Sequence, residues 1–133
     1  MRVLRILFYA AVFLLVASVF LPSFNDGIGP ARKAMAKNAV LQLVTAAKAY
    51  KEEYGKPPKG DSQSVLRILQ NDNPRKIVFL EISPKELSKD GIYLDPWGTP
   101  YVFDLSSFSP WAYSFGKNKR DDGGNGDDAA SWK

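Results

Sequence analysis

Four aspartates near the end of the chain are the residues whose types and spacing could do chemistry. Asp121, Asp122, Asp127 and Asp128 lie in the tail GKNKRDDGGNGDDAASWK, with no basic residue between positions 121 and 128. Glycines between carboxylates let a backbone fold tightly enough for oxygen atoms to converge on a hard cation such as Ca²⁺. The spacing is not that of an EF-hand. The composition also fits a disordered acidic tail, but Trp132 favours order because a tryptophan is costly to leave in water.

The chain lacks the residues that most catalytic sites need. Its 133 residues include no histidine and no cysteine, which excludes a histidine-based triad, a thiol nucleophile, a disulfide and a typical zinc site. A serine–lysine dyad or a carboxylate pair is still possible, but no arrangement of such residues stands out. The formal net charge of +4 is spread along the chain, which argues against nucleic-acid binding. We therefore expect no enzymatic activity and no nucleic-acid partner.

An apolar segment at the start of the sequence predicts a membrane anchor. Arg5 is the only charged residue within Val3–Leu21, and no acidic residue precedes Asp26. The segment is near the short end of the roughly 20 residues that span a bilayer. A cleavable signal peptide is the alternative, although no clear small-x-small cleavage site precedes Pro22. Basic residues flank both sides of the segment, so charge leaves the orientation open.

An amphipathic helix at Ala31–Tyr54 is predicted to organise the rest of the chain. Its apolar residues recur at three- and four-residue steps and form one stripe on a helix. They are Val40, Leu43, Val44, Ala47, Tyr50 and Tyr54. The glycines and prolines between Pro22 and Pro30 predict a bend or a short unwound section before this helix. The chain therefore divides into a membrane anchor and bend at residues 1–30 and one globular domain at residues 31–133.

Short elements are predicted after the amphipathic helix. Asp61 or Ser62 can cap a second helix that runs through about Leu69. The segment KIVFLE at residues 76–81 predicts a short strand, and Pro84–Leu87 one helical turn.

The last third of the chain predicts two antiparallel strands and a rigid loop. Two prolines and a glycine exclude regular structure in Tyr93–Pro100, so we expect a loop that Trp97 holds in place. Tyr101–Leu105 and Trp111–Phe115 alternate as paired strands do. A small sheet packed on the helix stripe is therefore expected, which is an α+β fold.

Taken together, these segments resemble the major pseudopilin of type II secretion systems, within the wider type IV pilin-like class. The resemblance rests on an apolar N-terminal segment that ends near Pro22, the helix end AYKEEYGKPP at residues 49–58 and the loop DPWGTPY at residues 95–101. It rests further on the ending from Ser114-Phe115-Gly116 through Asp127-Asp128 to Ser131-Trp132. These segments cover nearly the whole chain in order.

The resemblance implies a pilin-like α+β fold and a structural role in protein export. A long N-terminal helix, made of a membrane segment and an amphipathic half, packs on a small antiparallel sheet that is followed by a C-terminal loop. The subunit would build the pseudopilus or a related filament, with copies of itself, other pilin-like subunits and the inner-membrane secretion machinery as partners. Residues 3–21 would cross the inner membrane once, with the globular domain periplasmic or extracellular.

The resemblance also implies a structural Ca²⁺ ion in the C-terminal loop. On the matching positions, its ligands are the side chains of Asn118, Asp127 and Asp128 and the carbonyl oxygen of Phe115. Asn118 stands where an aspartate is commoner, which lowers the ligand charge and predicts a weaker site. The roles of Asp121 and Asp122 are left open.

One feature departs from the pilin-like pattern and supports an alternative function. Precursors of this class carry a short leader ending in glycine and, soon after it, a glutamate that pairs with a neighbour's N-terminal amine. The sequence shows neither, and Arg5 stands near the expected position of the glutamate. An arginine cannot make that pairing. The alternative is therefore an uncleaved, membrane-anchored pilin-like binding module that does not polymerise.

Overall fold

The computed structural model describes the backbone of residues 2–133 and the side chains of residues 28–133. The elements follow in the order α1 (Arg2–Tyr54), α2 (Ser62–Gln70), a 3₁₀ turn (Pro84–Glu86), β1 (Val102–Asp104), β2 (Trp111–Ser114) and β3 (Ala129–Ala130). The chain divides into two compact units, Met1–Ala31 and Arg32–Lys133. The functional features described below all lie in the second unit.

The first unit bears on two predictions about the N-terminal part. The predicted membrane segment, residues 3–21, lies outside the residues whose side chains are described, so it stays a prediction. In the remainder of the chain, none of the helices combines the length and the apolar character of a membrane span. The helix α1 includes both Pro22 and Pro30, so the predicted unwound section is not observed. A proline removes one helical N–H donor, and the hydrogen bonds on either side can continue. The alternative of a bend stays a prediction.

The second half of α1 supplies the apolar stripe that the sequence predicts. Val40, Leu43, Val44, Ala47 and Tyr50 are buried. Three alanines, Ala36, Ala39 and Ala46, extend the buried face, and their small side chains let other segments approach the helix closely. The sixth predicted member, Tyr54, is half-buried and packs against the core. The stripe is confirmed.

The short helix α2 begins at an aspartate cap. The Asp61 side chain accepts a hydrogen bond of 2.7 Å from the backbone N–H of Ser64, which satisfies one of the free donors of the first turn. Val65, Leu66 and Leu69 are buried on one face, as the sequence predicts. Of the two predicted caps, the structure uses Asp61.

The predicted strand at residues 76–81 is wrong. These residues form no strand: Lys76 has φ +54°, in the left-handed region, and Phe79 lies at a bend. The N–H groups of Phe79 and Leu80 instead both donate to the carbonyl of Leu69 at the end of α2. The buried Asn73 side chain bonds both the N–H and the carbonyl of Ile77. Tertiary contacts therefore use the backbone groups that a strand would have offered. The predicted helical turn that follows is confirmed as the 3₁₀ turn.

The sheet contains the two predicted strands and a third that was not predicted. β1 and β2 pair antiparallel, with Val102 opposite Tyr113. β2 also pairs antiparallel with β3, through Tyr113 opposite Ala130. The third strand is only Ala129–Ala130, and alanine has little intrinsic preference for strands, so local composition does not predict it. The sheet order is β1-β2-β3.

One hydrophobic core joins α1, α2 and the sheet. Leu69, Tyr93, Tyr101, Leu105 and Ala112 are buried in the same cluster as the α1 stripe. A long helix packed on a small three-stranded antiparallel sheet is an α+β, pilin-like fold, and the predicted fold class is confirmed. The end of β2 and the start of β3 lie side by side, with Ser114 opposite Ala129. This pairing brings together the two ends of the acidic C-terminal loop, residues 115–128.

Candidate metal centre in the C-terminal loop

The acidic loop begins at a buried hydrogen-bond network around Asp95. One oxygen of this carboxylate accepts hydrogen bonds from the N–H groups of Trp97 (3.0 Å) and Thr99 (2.9 Å). The other accepts from the hydroxyls of Thr99 (2.6 Å) and Ser114 (2.7 Å). The Ser114 hydroxyl oxygen in turn accepts from the N–H of Gly116 at 3.1 Å. The loop at residues 93–100 is therefore tied through Ser114 to Gly116, near the start of the C-terminal loop.

Three aspartates converge inside the C-terminal loop. Asp122, Asp127 and Asp128 each offer one carboxylate oxygen, and these oxygens lie within 4.8 Å of one another. Neither of the two ion pairs formed among residues 28–133 involves these aspartates. Like charges at this separation repel unless a cation or protons lie between them. The cluster is suited to binding a cation.

Backbone donors hold two of the three carboxylates in place. Asp127 accepts a hydrogen bond of 2.8 Å at Oδ2 from the N–H of Asn118. Asp128 accepts at its Oδ2 from the N–H groups of Asp122 (3.1 Å) and Gly124 (2.9 Å). The other oxygen of Asp128, Oδ1, is buried and has no hydrogen-bond partner among the residues that the structure describes. Asp128 is only 3% exposed, so water does not solvate this side chain freely, and an unpaired buried oxygen is costly.

Two glycines allow the loop to close around the cluster. Gly116 has φ +70° and lies so close to Asp127 that an added Cβ would overlap its backbone carbonyl and lie 2.9 Å from its carboxylate. Gly126 has φ +56°, and an added Cβ would lie 3.1 Å from the Asp122 carboxylate. Residues that carry a Cβ rarely adopt the left-handed backbone conformation at these φ values. Only glycine fits both the backbone angle and the space at position 116.

Aromatic residues cover the outer side of the loop. Trp132 packs on Gly124 and makes edge-to-face contacts with Trp111 and Tyr113, with ring centroids 6.3 and 5.8 Å apart. Trp132 is thus packed on the protein, as expected for an ordered tail, although 53% of this residue stays exposed. Burial, and then the hydrogen bond that the Tyr113 hydroxyl donates to Asp121 (3.0 Å), raise the pKa of Tyr113 above its usual value. The phenol therefore stays a donor to Asp121 at neutral pH.

A lysine of α1 ties the strand that follows the cluster to the helix. The Lys37 ammonium donates a hydrogen bond of 2.6 Å to the carbonyl of Ala130 and a second one to the backbone oxygen of Lys133. Ala130 is buried in β3, two residues after Asp128. The loop is therefore anchored at its start by the Asp95 network and after its end by α1.

The fold and this loop agree with a match to a family of known proteins. Residues 25–132 match the family model described as type II secretion system (T2SS), protein G. The chain belongs to this family. Protein G is the major pseudopilin, a structural component of type II secretion, so the predicted resemblance is confirmed. A comparison with curated proteins and one with solved structures gave no match. The family is structural and not enzymatic; that this pseudopilin has no catalytic activity stays a prediction.

The structure of this pseudopilin brings together two of the four residues predicted to bind calcium. Asp127 and Asp128 are in the cluster. Phe115 directly precedes Gly116, whose peptide packs against Asp127. The Asn118 side chain turns its nitrogen towards the cluster, because Nδ2 donates to Asp122 at 2.9 Å while Oδ1 accepts from the N–H of Arg120 at 2.7 Å.

Sequence reasoning left the role of Asp122 open, although the structure places it in the cluster. The signal was its position six residues before Asp128 among glycines. That signal could not separate Asp122 from its neighbour Asp121, whose carboxylate instead accepts hydrogen bonds from Tyr113 and from the N–H of Gly123.

Proposed function

We propose that this pseudopilin is a filament subunit of a type II secretion system or a related export filament, with a structural calcium ion in its C-terminal loop. Membership of the protein G family supports the structural role in secretion. The long helix that carries a small sheet domain supports a pilin-like subunit that associates with copies of itself or other pilin-like subunits and with the inner-membrane secretion machinery. We further propose that residues 3–21 cross the inner membrane once, with the globular domain on the periplasmic or extracellular side.

The buried, unpaired Oδ1 of Asp128 is the observation that carries the calcium proposal. A buried carboxylate oxygen without a donor is unfavourable, and two further carboxylates close to it increase the cost. A bound cation would remove both costs, because it supplies a partner for Oδ1 and neutralises the repulsion. The hydrogen bonds that Asp128 accepts at Oδ2 hold the carboxylate so that Oδ1 cannot turn to a backbone donor instead.

The ligand chemistry favours a hard cation such as calcium over zinc or copper. All the available ligand atoms are oxygens. They belong to the carboxylates of Asp127 and Asp128, to the carbonyl of Phe115, and to the side chains of Asn118 and Asp122, which are hydrogen-bonded to each other. Calcium takes six to eight oxygen ligands in flexible geometry, whereas zinc and copper favour nitrogen and sulfur. Weak calcium sites suit the space outside the cytosol, where the ion is abundant, and this agrees with the proposed side of the membrane.

Calcium is expected to raise the melting temperature of a soluble fragment of residues 31–133, which contains the whole core. If calcium is present at about 100 times its dissociation constant, the stabilisation is about 2.7 kcal/mol, which corresponds to a rise of about 10 °C or more. Differential scanning calorimetry with calcium and with a chelator measures it. The double substitution Asp127→Ala and Asp128→Ala should abolish the rise.

A matched control for this experiment removes two carboxylates elsewhere. Asp72 and Asp90 are exposed, so replacing both with alanine makes the same charge change and should keep the full rise. Equal melting temperatures of the unsubstituted fragment in calcium and in chelator would exclude the calcium site.

Cross-linking in native membranes tests the filament proposal against an anchored module that does not polymerise. Arg5, at the position where pilin-like proteins are expected to carry a glutamate, is the observation that favours the module. A filament subunit should give a ladder of dimers, trimers and larger self-adducts. An unrelated single-pass protein at the same level in the same membranes is the control and should give none. Monomers alone for both proteins would favour the module.

A further inference from the structure

The geometry points to Asp122, and not Asn118, as the third side chain that binds the cation, with Asn118 as the residue that positions it. This inference rests on the proposed calcium site and changes one ligand of it.

Asp122 lies close enough to the other two aspartates to share a cation with them. Its carboxylate has an oxygen within 4.8 Å of oxygens of Asp127 and of Asp128. The Oδ1 of Asp128 is buried and has no hydrogen-bond partner among the described residues, so it is available to a cation. The backbone of Asp122 belongs to the same unit, because its N–H donates to Asp128 Oδ2 at 3.1 Å. A cation at Asp128 would therefore lie within reach of the Asp122 carboxylate.

The Asn118 amide turns its nitrogen, and not its oxygen, towards the cluster. Its oxygen accepts a hydrogen bond of 2.7 Å from the N–H of Arg120, and its nitrogen donates one of 2.9 Å to Oδ2 of Asp122. Rotating the amide by 180° would place its oxygen against a carboxylate and its nitrogen against an N–H donor, so both bonds would be lost. The amide thus presents hydrogens to the cluster, and hydrogens do not bind a cation. Asn118 instead holds Asp122 in place.

The charge of the site is more negative with Asp122 as a ligand than with Asn118. Calcium affinity rises with the number of charged ligands. With Asn118 as a ligand the site has two carboxylates, and with Asp122 it has three. The loop therefore keeps the charge that an aspartate at position 118 would supply, but carries it four residues later in the sequence.

Asp121 provides a control that differs from Asp122 by one position. Its Oδ1 accepts hydrogen bonds from the Tyr113 hydroxyl (3.0 Å) and from the N–H of Gly123 (2.9 Å). Asp121 therefore faces the aromatic residues, and it is not a member of the cluster. Substituting it with asparagine makes the same change in charge and nearly the same change in shape as Asp122→Asn.

Calorimetric titration of the full chain in detergent with calcium chloride tests the assignment. Asp122→Asn is expected to raise the dissociation constant about tenfold or more, because it removes a charged ligand. Asp121→Asn is expected to raise it by less than about threefold, through screened long-range charge alone. Asn118→Ala removes the bond that positions Asp122 and the bond to the N–H of Arg120 but no ligand of the cation, so its effect should be smaller than that of Asp122→Asn.

Melting temperatures with and without calcium separate a ligand from a residue that only stabilises the loop. In chelator, Asp122→Asn should melt at the same temperature as the unsubstituted chain or higher, since one of three repelling charges is gone. In calcium it should melt lower. A purely structural role for Asp122 predicts a lower melting temperature in both conditions.

Three results would overturn the inference. They are equal dissociation constants for Asp122→Asn and Asp121→Asn, a larger loss of affinity for Asn118→Ala than for Asp122→Asn, and a lower melting temperature of Asp122→Asn in chelator. In each case calcium binding by the unsubstituted chain would keep the proposed function intact. If the unsubstituted chain itself bound no calcium, the proposed site would fail, and this inference with it.

Discussion

Replacing Asp95 with alanine is expected to lower the free energy of unfolding by about 3–5 kcal/mol, because Asp95 is buried and its loss leaves four buried or half-buried donors without an acceptor. The carboxylate accepts from the N–H groups of Trp97 and Thr99 and from the hydroxyls of Thr99 and Ser114. The two hydroxyls can rotate to other partners, but the two N–H groups are fixed by the turn. Urea denaturation of residues 31–133 in chelator measures the loss without any contribution from calcium.

Asp104 is the matched control for this substitution. Its carboxylate accepts a single hydrogen bond, from the N–H of Ser106 at 3.0 Å, and it is only half-buried. Asp104→Ala should therefore cost about 1 kcal/mol or less. If the two substitutions lowered the free energy of unfolding equally, the Asp95 network would not be what holds the loop at residues 93–100 to β2.

Replacing Gly116 with alanine is expected to have the second largest effect, with a loss of about 2–4 kcal/mol of unfolding free energy. The residue has φ +70°, and an added Cβ would lie 2.8 Å from the carbonyl carbon of Asp127, as well as against its oxygen. The obstacle is backbone, so no side-chain rotation relieves it. The same substitution should weaken calcium binding because it pushes Asp127 away from the loop entrance. Urea denaturation and calcium titration measure the two effects.

Gly123 separates the backbone angle from the steric overlap. Its φ is +63°, but a Cβ there would have no neighbour within 4 Å. Gly123→Ala should therefore cost only the left-handed conformation, about 1 kcal/mol. A loss as large as that of Gly116→Ala would mean that the angle, and not the close approach to Asp127, decides the requirement for glycine.

The helix and the first two strands could be predicted because their signals are periodic and local. The apolar residues of the α1 stripe repeat with the period of a helix, and aromatic and small residues alternate along β2 with the period of a strand. The segment at residues 76–81 has equally strong strand residues, but its N–H groups are taken by Leu69 and Asn73. Such long-range partners cannot be inferred from local composition. The strand β3 consists of two alanines without a residue alternation, so it can be recognised only from its pairing with β2.

The candidate site was predictable in its chemistry and only partly in its members. Carboxylates among glycines indicated a cation site, and Asp127 and Asp128 were identified through the family resemblance. The choice between Asp121 and Asp122 depends on the partners of each side chain, which are Tyr113 for Asp121 and Asn118 for Asp122, and the spacing of neighbouring aspartates does not reveal them. The role of Asp95 as a buried hydrogen-bond acceptor was not predicted, because its four donors come from three different residues brought together by the fold.

A crystal structure of residues 31–133 grown in calcium tests the central claim most directly. The expected result is one calcium ion bonded to Oδ1 of Asp128 at about 2.3–2.6 Å, the usual length of a calcium–oxygen bond, with Asp127 as a second ligand. A structure at saturating calcium in which Oδ1 of Asp128 bonds only water or protein, with no cation among the loop aspartates, would contradict it.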